Sequence, residues 1–186
     1  MNLYIKNMVS ERCKIIVKSE LEKFGLHYIR VELGEVEIED CMTAEELKSL
    51  NEALKVSGFS LLTDHKSILI EKIKNNIIEM VHYSEKPLQV NFSIYLSEKL
   101  KYNYTYLANL FSENQGMTIE HFLLNHRIER VKELLIYDEL NITEIAFKMH
   151  YSSVAHLSKQ FKKMTGLTPS QYNHLRIKNR IPLENM

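Results

Sequence analysis

The sequence predicts a mixed α+β chain with a small N-terminal sandwich, a connector helix and an all-α half that contains two helix-turn-helix units. In residues 1–64, short strand-like stretches, two of them alternating, flank two helical patterns. From residue 64 onward, the apolar residues follow helical spacing. The helical half repeats itself with an offset of 50 residues, which pairs Leu107 with Leu157, Phe111 with Phe161, and Gly116 with Gly166.

The N-terminal half has the element order β-α-β-β-α-β, which suggests a ferredoxin-like sandwich over residues 1–64. A strand at residues 3–5 precedes a helix from Glu11 to Phe24, for which Ser10 is the expected N-cap and Gly25 the end. The predicted apolar stripe of this helix consists of Cys13, Ile16, Val17, Leu21 and Phe24.

Two alternating strands and a second helix complete this half. The first strand places Ile29, Val31 and Leu33 on one face, and the second strand places Val36 and Ile38 on one face. A capping box at residues 43–46 opens a helix that Gly58 closes, and residues 59–62 form the last strand. The apolar residues of this second helix are Leu47, Leu50, Ala53 and Leu54.

Residues 1–64 resemble the heavy-metal-associated domains of copper chaperones and metal-transporting ATPases. The resemblance rests on the strand order, on Met8 before the motif loop, and on Gly58-Phe59 at the last strand. The family's Cys-x-x-Cys motif reads Ser10-Glu11-Arg12-Cys13 here, so one of the two thiolates is missing. Because Cu(I) needs at least two soft ligands, this departure argues against metal binding at Cys13.

No second thiolate is expected near that motif loop. In this topology Cys41 follows the third strand and His27 starts the second one, which places both at the end of the sheet opposite Cys13. We therefore expect a degenerate metal fold that docks or dimerises. A metal sensor or metal-handling protein that acts through Cys13 is the alternative.

A long connector helix follows from residue 64 to residue 83. Ile70, Ile73, Ile77 and Met80 occupy a and d positions of two heptads. Two heptads are too few for an independent coiled coil, so the helix either packs on the sandwich or contributes to a homodimer. Glu85-Lys86-Pro87 breaks the helix and marks a domain boundary, which gives a connector at 65–86 and a helical domain at 87–180.

Each helix-turn-helix unit pairs a short helix with a second helix that has one apolar and one polar face. In the first unit, residues 92–100 turn Ile94, Leu96 and Leu100 inward, and Asn103 caps a helix over residues 104–114. In the second unit, residues 142–149 precede a helix over residues 154–165, capped by Ser152 or Ser153. The second helices bury Leu107, Leu110 and Phe111 in the first unit and Leu157, Phe161 and Met164 in the second unit.

The opposite faces of these second helices are small, polar and basic, as a helix that enters a DNA major groove needs to be. The outward residues are Thr105, Ala108, Asn109 and Ser112 in the first unit and Ala155, Ser158, Lys159, Lys162 and Lys163 in the second unit. A linker helix over residues 118–137 joins the units and carries Phe122, Leu123, Ile128, Val131, Leu134 and Leu135. Its length of about 28 Å is close to the spacing of about 34 Å between successive major grooves on one face of a duplex.

Residues 87–178 resemble the DNA-binding domain of AraC/XylS-family transcription regulators. The resemblance is carried by Leu107, Phe111, Gly116, Arg127, the segments 132–135 and 142–146, Tyr151-Ser152, and the segments 157–163 and 166–172. It implies base contacts from Thr105, Ala108 and Asn109 in the first unit and from Val154, Ala155, Ser158 and Lys159 in the second unit. The family often has glycine in the turn, where this chain has Lys101 and His150, two residues that tolerate a positive φ less well.

Charge is distributed unevenly although the net charge is zero. Residues 1–64 carry 8 Lys and Arg against 12 Asp and Glu, whereas residues 87–186 carry 12 against 9. Residues 145–183 contain no acid and seven bases: Lys148, Lys159, Lys162, Lys163, Arg176, Lys178 and Arg180. This basic run coincides with the second unit, which favours contact with DNA phosphates.

The remaining features favour a soluble cytoplasmic protein without a catalytic site or cofactor. There is no apolar run long enough to span a bilayer, no signal-peptide h-region, and no disulfide framework in two cysteines. Metal-binding histidine pairs and a phosphate-binding glycine loop are also missing, and His121, His126, His150 and His174 read as surface or satisfied core residues. The predicted function is sequence-specific binding of double-stranded DNA for transcription regulation; an interaction module that has lost DNA binding is a further alternative.

Overall fold

The computed structural model describes residues 1–84, 90–137 and 139–174. The chain divides into two compact units, Met1–Asn76 and Ile77–Met186. The predicted helix break at Glu85-Lys86-Pro87 and the basic residues Arg176, Lys178 and Arg180 lie outside the described residues.

The first unit contains a four-stranded antiparallel sheet in the order β2-β3-β1-β4. The strands are β1 Asn2–Lys6, β2 Tyr28–Glu32, β3 Glu35–Ile38 and β4 Ser60–Leu62. The helices are α1 Glu11–Lys23, α2 Ala44–Val56 and α3 His65–Ile78, whose last two residues belong to the second unit. The predicted order β-α-β-β-α-β is therefore confirmed, and so is the capping box of Thr43 and Glu46 at the start of α2.

Two apolar patterns predicted for this unit are wrong. In α1 the buried stripe is Cys13, Val17 and Leu21, whereas Ile16 and Phe24 are 40% and 39% exposed. In β2 the pairing with β3 shifts between Tyr28 and Arg30, which is a β-bulge. The bulge interrupts the alternation of side chains, so Ile29 is 60% exposed while Val31 remains buried.

The part of the connector helix α3 that belongs to the first unit packs against the loops that follow β1 and β2. Its residues Ile70 and Ile73 are buried, and so are the polar residues Glu71 and Asn75. The Glu71 carboxylate accepts a hydrogen bond of 2.8 Å from the backbone N–H of Asn7, and the Asn75 amide donates one of 3.1 Å to the Leu33 carbonyl. Two of the four predicted heptad residues, Ile70 and Ile73, are thus buried within this unit, which favours packing on the sandwich over a homodimer seam at these two residues.

Gly34 is a position where only glycine fits without rearrangement. Its φ is +75°, and a Cβ would lie 2.0 Å from Nδ2 of the buried Asn75. We expect Gly34→Ala to lower the free energy of unfolding by about 2–3 kcal/mol, because it adds left-handed strain and displaces the Asn75 amide from Leu33. Urea denaturation followed by circular dichroism measures the change.

Gly58→Ala is the matched control for this substitution. Gly58 has a similar φ of +82°, but nothing lies within 4 Å of the Cβ position. It should cost only the backbone strain, about 1 kcal/mol. Equal destabilisation by the two substitutions would contradict the role assigned to Asn75.

The second unit is helical throughout its described elements. A π-helical turn over Glu79–Tyr83 continues α3. The further helices are α4 Phe92–Leu100, α5 Tyr104–Gln115, α6 Ile119–Tyr137, α7 Ile142–Lys148, α8 Val154–Thr165 and α9 Pro169–His174. The predicted bounds of α4 and α8 are confirmed, and the other predicted bounds agree within one residue at α5, α6 and α7.

The core of this unit differs from the prediction at a few residues. Ile94 was expected inside but is 47% exposed, and Leu100 and Met164 are half-buried. Conversely, the polar residues His126 and Glu129 of α6 are buried. The buried residues that were predicted correctly on α6 are Phe122, Leu123, Ile128, Val131, Leu134 and Leu135.

Both helix-turn-helix turns contain a non-glycine residue in the left-handed region, at the two positions where the resembled family often has glycine. Lys101 has a φ of 62° and His150 has a φ of 57°. A side chain in this conformation costs about 1–2 kcal/mol relative to the right-handed region. The surrounding helix pairs hold these two residues in the strained conformation.

Candidate nucleic-acid interface

Helix α5 presents a polar face on the side opposite the apolar residues that it buries. The Asn103 side chain caps the helix by accepting a hydrogen bond of 2.8 Å from the backbone N–H of Thr105. Leu107 and Phe111 are fully buried, and the Phe111 ring meets the α6 ring of Phe122 edge-on at 5.4 Å. On the other side Thr105 and Asn109 are exposed; Ala108 and Ser112 are half-buried.

Helix α8, in the second helix-turn-helix unit, also has one buried and one outward face. Of the two candidate caps, it is Ser153 whose hydroxyl accepts a hydrogen bond from the backbone N–H of His156, at 3.1 Å. Leu157 and Phe161 are fully buried, and Phe161 meets the α9 ring of Tyr172 edge-on at 5.4 Å. The outward residues are the exposed Ala155, Lys159, Lys162 and Lys163 and the half-buried Val154 and Ser158.

Helix α6 is the scaffold that joins the two helix-turn-helix units. It has 19 residues, which corresponds to a length of about 28 Å. Two ion pairs lie within this helix: Arg130 pairs with Glu133 at 2.6 Å, and Lys132 pairs with Glu129 at 2.5 Å. These two cations are therefore already paired with carboxylates of the same helix.

The two outward faces differ in charge. Between Tyr104 and Gln115, helix α5 has no lysine or arginine, and Glu113 is its only charged residue. Helix α8 carries Lys159, Lys162 and Lys163 and no acid. Within the part of the chain that the structure describes, none of these three lysines pairs with a carboxylate. The electrostatic attraction for a polyanion is therefore concentrated on α8.

The metal alternative gains no support from the geometry around Cys13. The thiol is buried, lies 3.2 Å from the Ser10 hydroxyl, and donates to the carbonyl of Asn7 at 3.9 Å. Asn2, the first residue of β1, pairs with Glu37 near the end of β3. Cys41 follows β3 and Cys13 follows β1, so the two cysteines lie at opposite ends of the sheet. Among residues 1–84, 90–137 and 139–174, no three His, Cys, Asp or Glu side chains form a group that could hold a metal ion.

No helix in the described parts of the chain has both the length and the apolar character required to cross a membrane.

Comparison with known proteins agrees with the helical geometry of the second unit. Residues 96–174 match the family model of a helix-turn-helix domain. The solved C-terminal domain of AraT, a response regulator from Geobacillus stearothermophilus, is 28% identical with a TM-score of 0.52, and the match covers 64% of this chain and 92% of that domain. Residues 96–174 are a helix-turn-helix domain of the AraC type.

Two curated relatives are similar to parts of this chain. The uncharacterised HTH-type transcriptional regulator YtdP of Bacillus subtilis (strain 168) is 26% identical over 157 residues, which is 79% of this chain and 20% of YtdP. The uncharacterised HTH-type transcriptional regulator SAS0078 of Staphylococcus aureus (strain MSSA476) is 39% identical over 77 residues, 41% of this chain and 10% of SAS0078. The chain thus spans a fifth or less of the length of these relatives.

The second unit contains every residue that the sequence predicts for DNA contact, and two further exposed residues adjoin them on α5 and α8. Tyr106 of α5 is 44% exposed and stacks on Tyr102 at 5.5 Å. His156 of α8 is exposed between Ala155 and Lys159. The sequence analysis does not single out His156; its helical spacing from Lys159 is the signal that identifies it as a neighbour of the predicted contact residues.

Proposed function

We propose that this chain is a sequence-specific, double-stranded-DNA-binding transcription regulator in which α5 and α8 enter adjacent major grooves. The proposal is supported by one observation above all: two capped helices on a common scaffold helix each bury one face and leave a small, polar face outward. The scaffold length of about 28 Å is compatible with two grooves about 34 Å apart on one side of the duplex.

The two helices would contribute differently. Asn109 on α5 would read adenine, because its amide can donate to N7 and accept from the N6 amino group. Thr105 and Ala108 would lie against neighbouring bases. On α8, Val154, Ala155 and Ser158 would contact base edges, while Lys159, Lys162 and Lys163 would neutralise phosphates and supply most of the affinity.

The N-terminal unit would supply docking, sensing or homodimerisation rather than DNA contact or catalysis. We propose the ferredoxin-like class for residues 1–64, on the basis of their β-α-β-β-α-β order and antiparallel pairing. Residues 1–64 carry more acids than bases, which would repel a duplex. The proposed domain limits are 1–64, a connector at 65–86 and the helical domain at 87–180, and the chain would work in the cytoplasm.

Selection from a random duplex pool with the full chain, without added metal, tests the proposal. Enrichment of two sequence blocks about one helical turn apart is the expected result. A single enriched block would mean that only one helix reads bases. Failure to enrich any sequence at low salt would overturn the proposed function.

Replacement of Asn109 and of Lys163 should have different consequences. Asn109→Ala removes a bidentate base contact, so discrimination at one position of the first block should fall by about 1–3 kcal/mol. Lys163→Ala removes a phosphate contact, so all sequences should bind more weakly and the slope of log K against log salt should fall by about 0.9. Fluorescence anisotropy on a panel of duplexes measures both, and identical behaviour of the two variants would contradict the assignment.

A further inference from the structure

We propose that His156 is a further specificity-determining residue: its imidazole Nε2–H donates a hydrogen bond to N7 of a purine in the second sequence block. This inference rests on the proposed function of the chain as a DNA-binding regulator. It concerns a side chain outside the set that the family resemblance implies, and it follows from three features of the structure around α8.

The first feature is position. His156 is the third residue of α8, and its side chain is exposed. Residues in the N-terminal turns of a recognition helix are the ones that reach base edges in the major groove. Lys159 and Lys163, three and seven residues further along the helix, lie on the same side and are also exposed, so His156 belongs to the outward face of the helix.

The second feature is a latch that fixes the ring. Nδ1 of His156 lies 3.1 Å from the hydroxyl of Ser152, and the ring meets the ring of Tyr151 edge-on at 5.3 Å. Tyr151 is itself half-buried, so the latch is anchored on the domain. A ring held in one orientation loses less conformational entropy on binding than a freely rotating one.

The hydrogen bond between Ser152 and Nδ1 links the tautomer of the ring to the chemistry of the other nitrogen. A neutral imidazole has one donor and one acceptor nitrogen. If the Ser152 hydroxyl donates to Nδ1, then Nε2 carries the proton and is a donor. A donor suits this surface, since the major groove offers purine N7 acceptors on both guanine and adenine.

The third feature is what α8 otherwise lacks. Val154 and Ala155 have no polar side-chain atoms, and Ser158 is half-buried. Lys159 is a flexible cation that suits a phosphate better than a defined base edge. His156 therefore supplies the oriented N–H donor that the other outward residues of this helix do not provide.

The tautomer is tested without DNA. Two-bond ¹H–¹⁵N correlation spectra of the full chain near pH 8 should show Nδ1 of His156 unprotonated and Nε2 protonated. Ser152→Ala should shift this ring toward a mixture of tautomers and leave the exposed His121 unchanged. A ring protonated at Nδ1 in the wild-type chain would overturn the proposal, because Nε2 would then be an acceptor.

Base reading is tested with the duplex enriched by the wild-type chain, in which each purine is replaced in turn by its 7-deaza analogue. The wild-type chain should lose about 3–10-fold in affinity at one position of the second block, as expected for one hydrogen bond. His156→Ala should bind the unmodified duplex about 3–10-fold more weakly and lose nothing further at that position. His121→Ala, a matched exposed histidine on α6, should behave like the wild-type chain.

Two outcomes separate this inference from the function on which it rests. If His156→Ala lost as much affinity as the wild-type chain on 7-deaza replacement at every position, the two losses would be additive. That outcome would overturn the role of His156 while the regulator function stands. No enrichment of any duplex by the wild-type chain would overturn the function and the inference together. Ser152→Ala, which leaves the imidazole in place, should reduce the 7-deaza loss by about half, whereas an unchanged loss would overturn the latch.

Discussion

Replacing Lys159, Lys162 and Lys163 together with alanine should weaken binding to every duplex by about 500-fold at 0.1 M salt. Each lysine that neutralises a phosphate contributes about 0.9 to the slope of log K against log salt, so three contribute about 2.7. Relative to 1 M salt, where this contribution vanishes, a slope of 2.7 corresponds to about 500-fold at 0.1 M. Base preference should be retained, because α5 and the first turn of α8 are untouched.

The matched control removes the same charge from the other unit. Lys48, Lys55 and Lys66 are exposed lysines of the N-terminal unit, and their replacement by alanine leaves the same net charge. A titration series from 0.05 to 0.5 M salt would be recorded by anisotropy for both triple variants. If the control weakened binding as strongly as the α8 variant, general charge rather than contact through α8 would be responsible.

Acid should destabilise the helical unit through His126. This imidazole is fully buried, lies 4.5 Å from the ring of Phe122, and its Nε2 has no partner among the described residues. Its Nδ1 lies 3.3 Å from Nε2 of His82. Burial, together with the charge of His82, lowers the pKa of His126 to about 3.

The direction of the pH effect follows from the two protonation states. The unfolded chain binds a proton at His126 below its ordinary pKa of about 6.5, whereas the folded unit remains neutral until about pH 3. The free energy of unfolding therefore falls as the pH drops through this window. We expect a loss of about 2 kcal/mol at pH 5, rising to about 4 kcal/mol near pH 3.

Comparison with a variant isolates this contribution from other titrating groups. His126→Leu removes the buried imidazole, so the difference between pH 7.5 and pH 5 should shrink by about 2 kcal/mol. His121→Leu, on the exposed side of the same helix, should keep the wild-type profile. Urea denaturation with hydrogen exchange of the α6 amides measures the change, and parallel pH profiles for all three chains would contradict this prediction.

Local signals in the sequence are sufficient to predict most of the helical domain. The bounds of α4 and α8 and the capping by Asn103 follow from helical spacing and capping chemistry, whereas the turn positions of Lys101 and His150 are implied by the family resemblance. Each of these features depends on residues within one or two helical turns of each other. The local amino-acid sequence is therefore sufficient to predict them.

Features that depend on distant neighbours are not predictable in this way. The outward position of Ile29 results from a bulge in the pairing of β2 with β3, and the pattern of β2 alone reads as regular alternation. The burial of His126 depends on His82, 44 residues away. Likewise, the fit of Gly34 against Asn75 joins residues from a turn and a helix that have no sequence signal in common.

The sequence by itself determined the class of this protein: an α+β chain whose helical half repeats a helix-turn-helix and concentrates lysines on its second copy. The tertiary structure alone decided which side chains within that plan are free to act. Helical spacing defines a face but not what covers it, so only the packed chain distinguishes the buried His126 from the exposed, oriented His156. Burial and hydrogen bonding at a given residue are set by whichever elements fold against it, and those elements come from elsewhere in the chain.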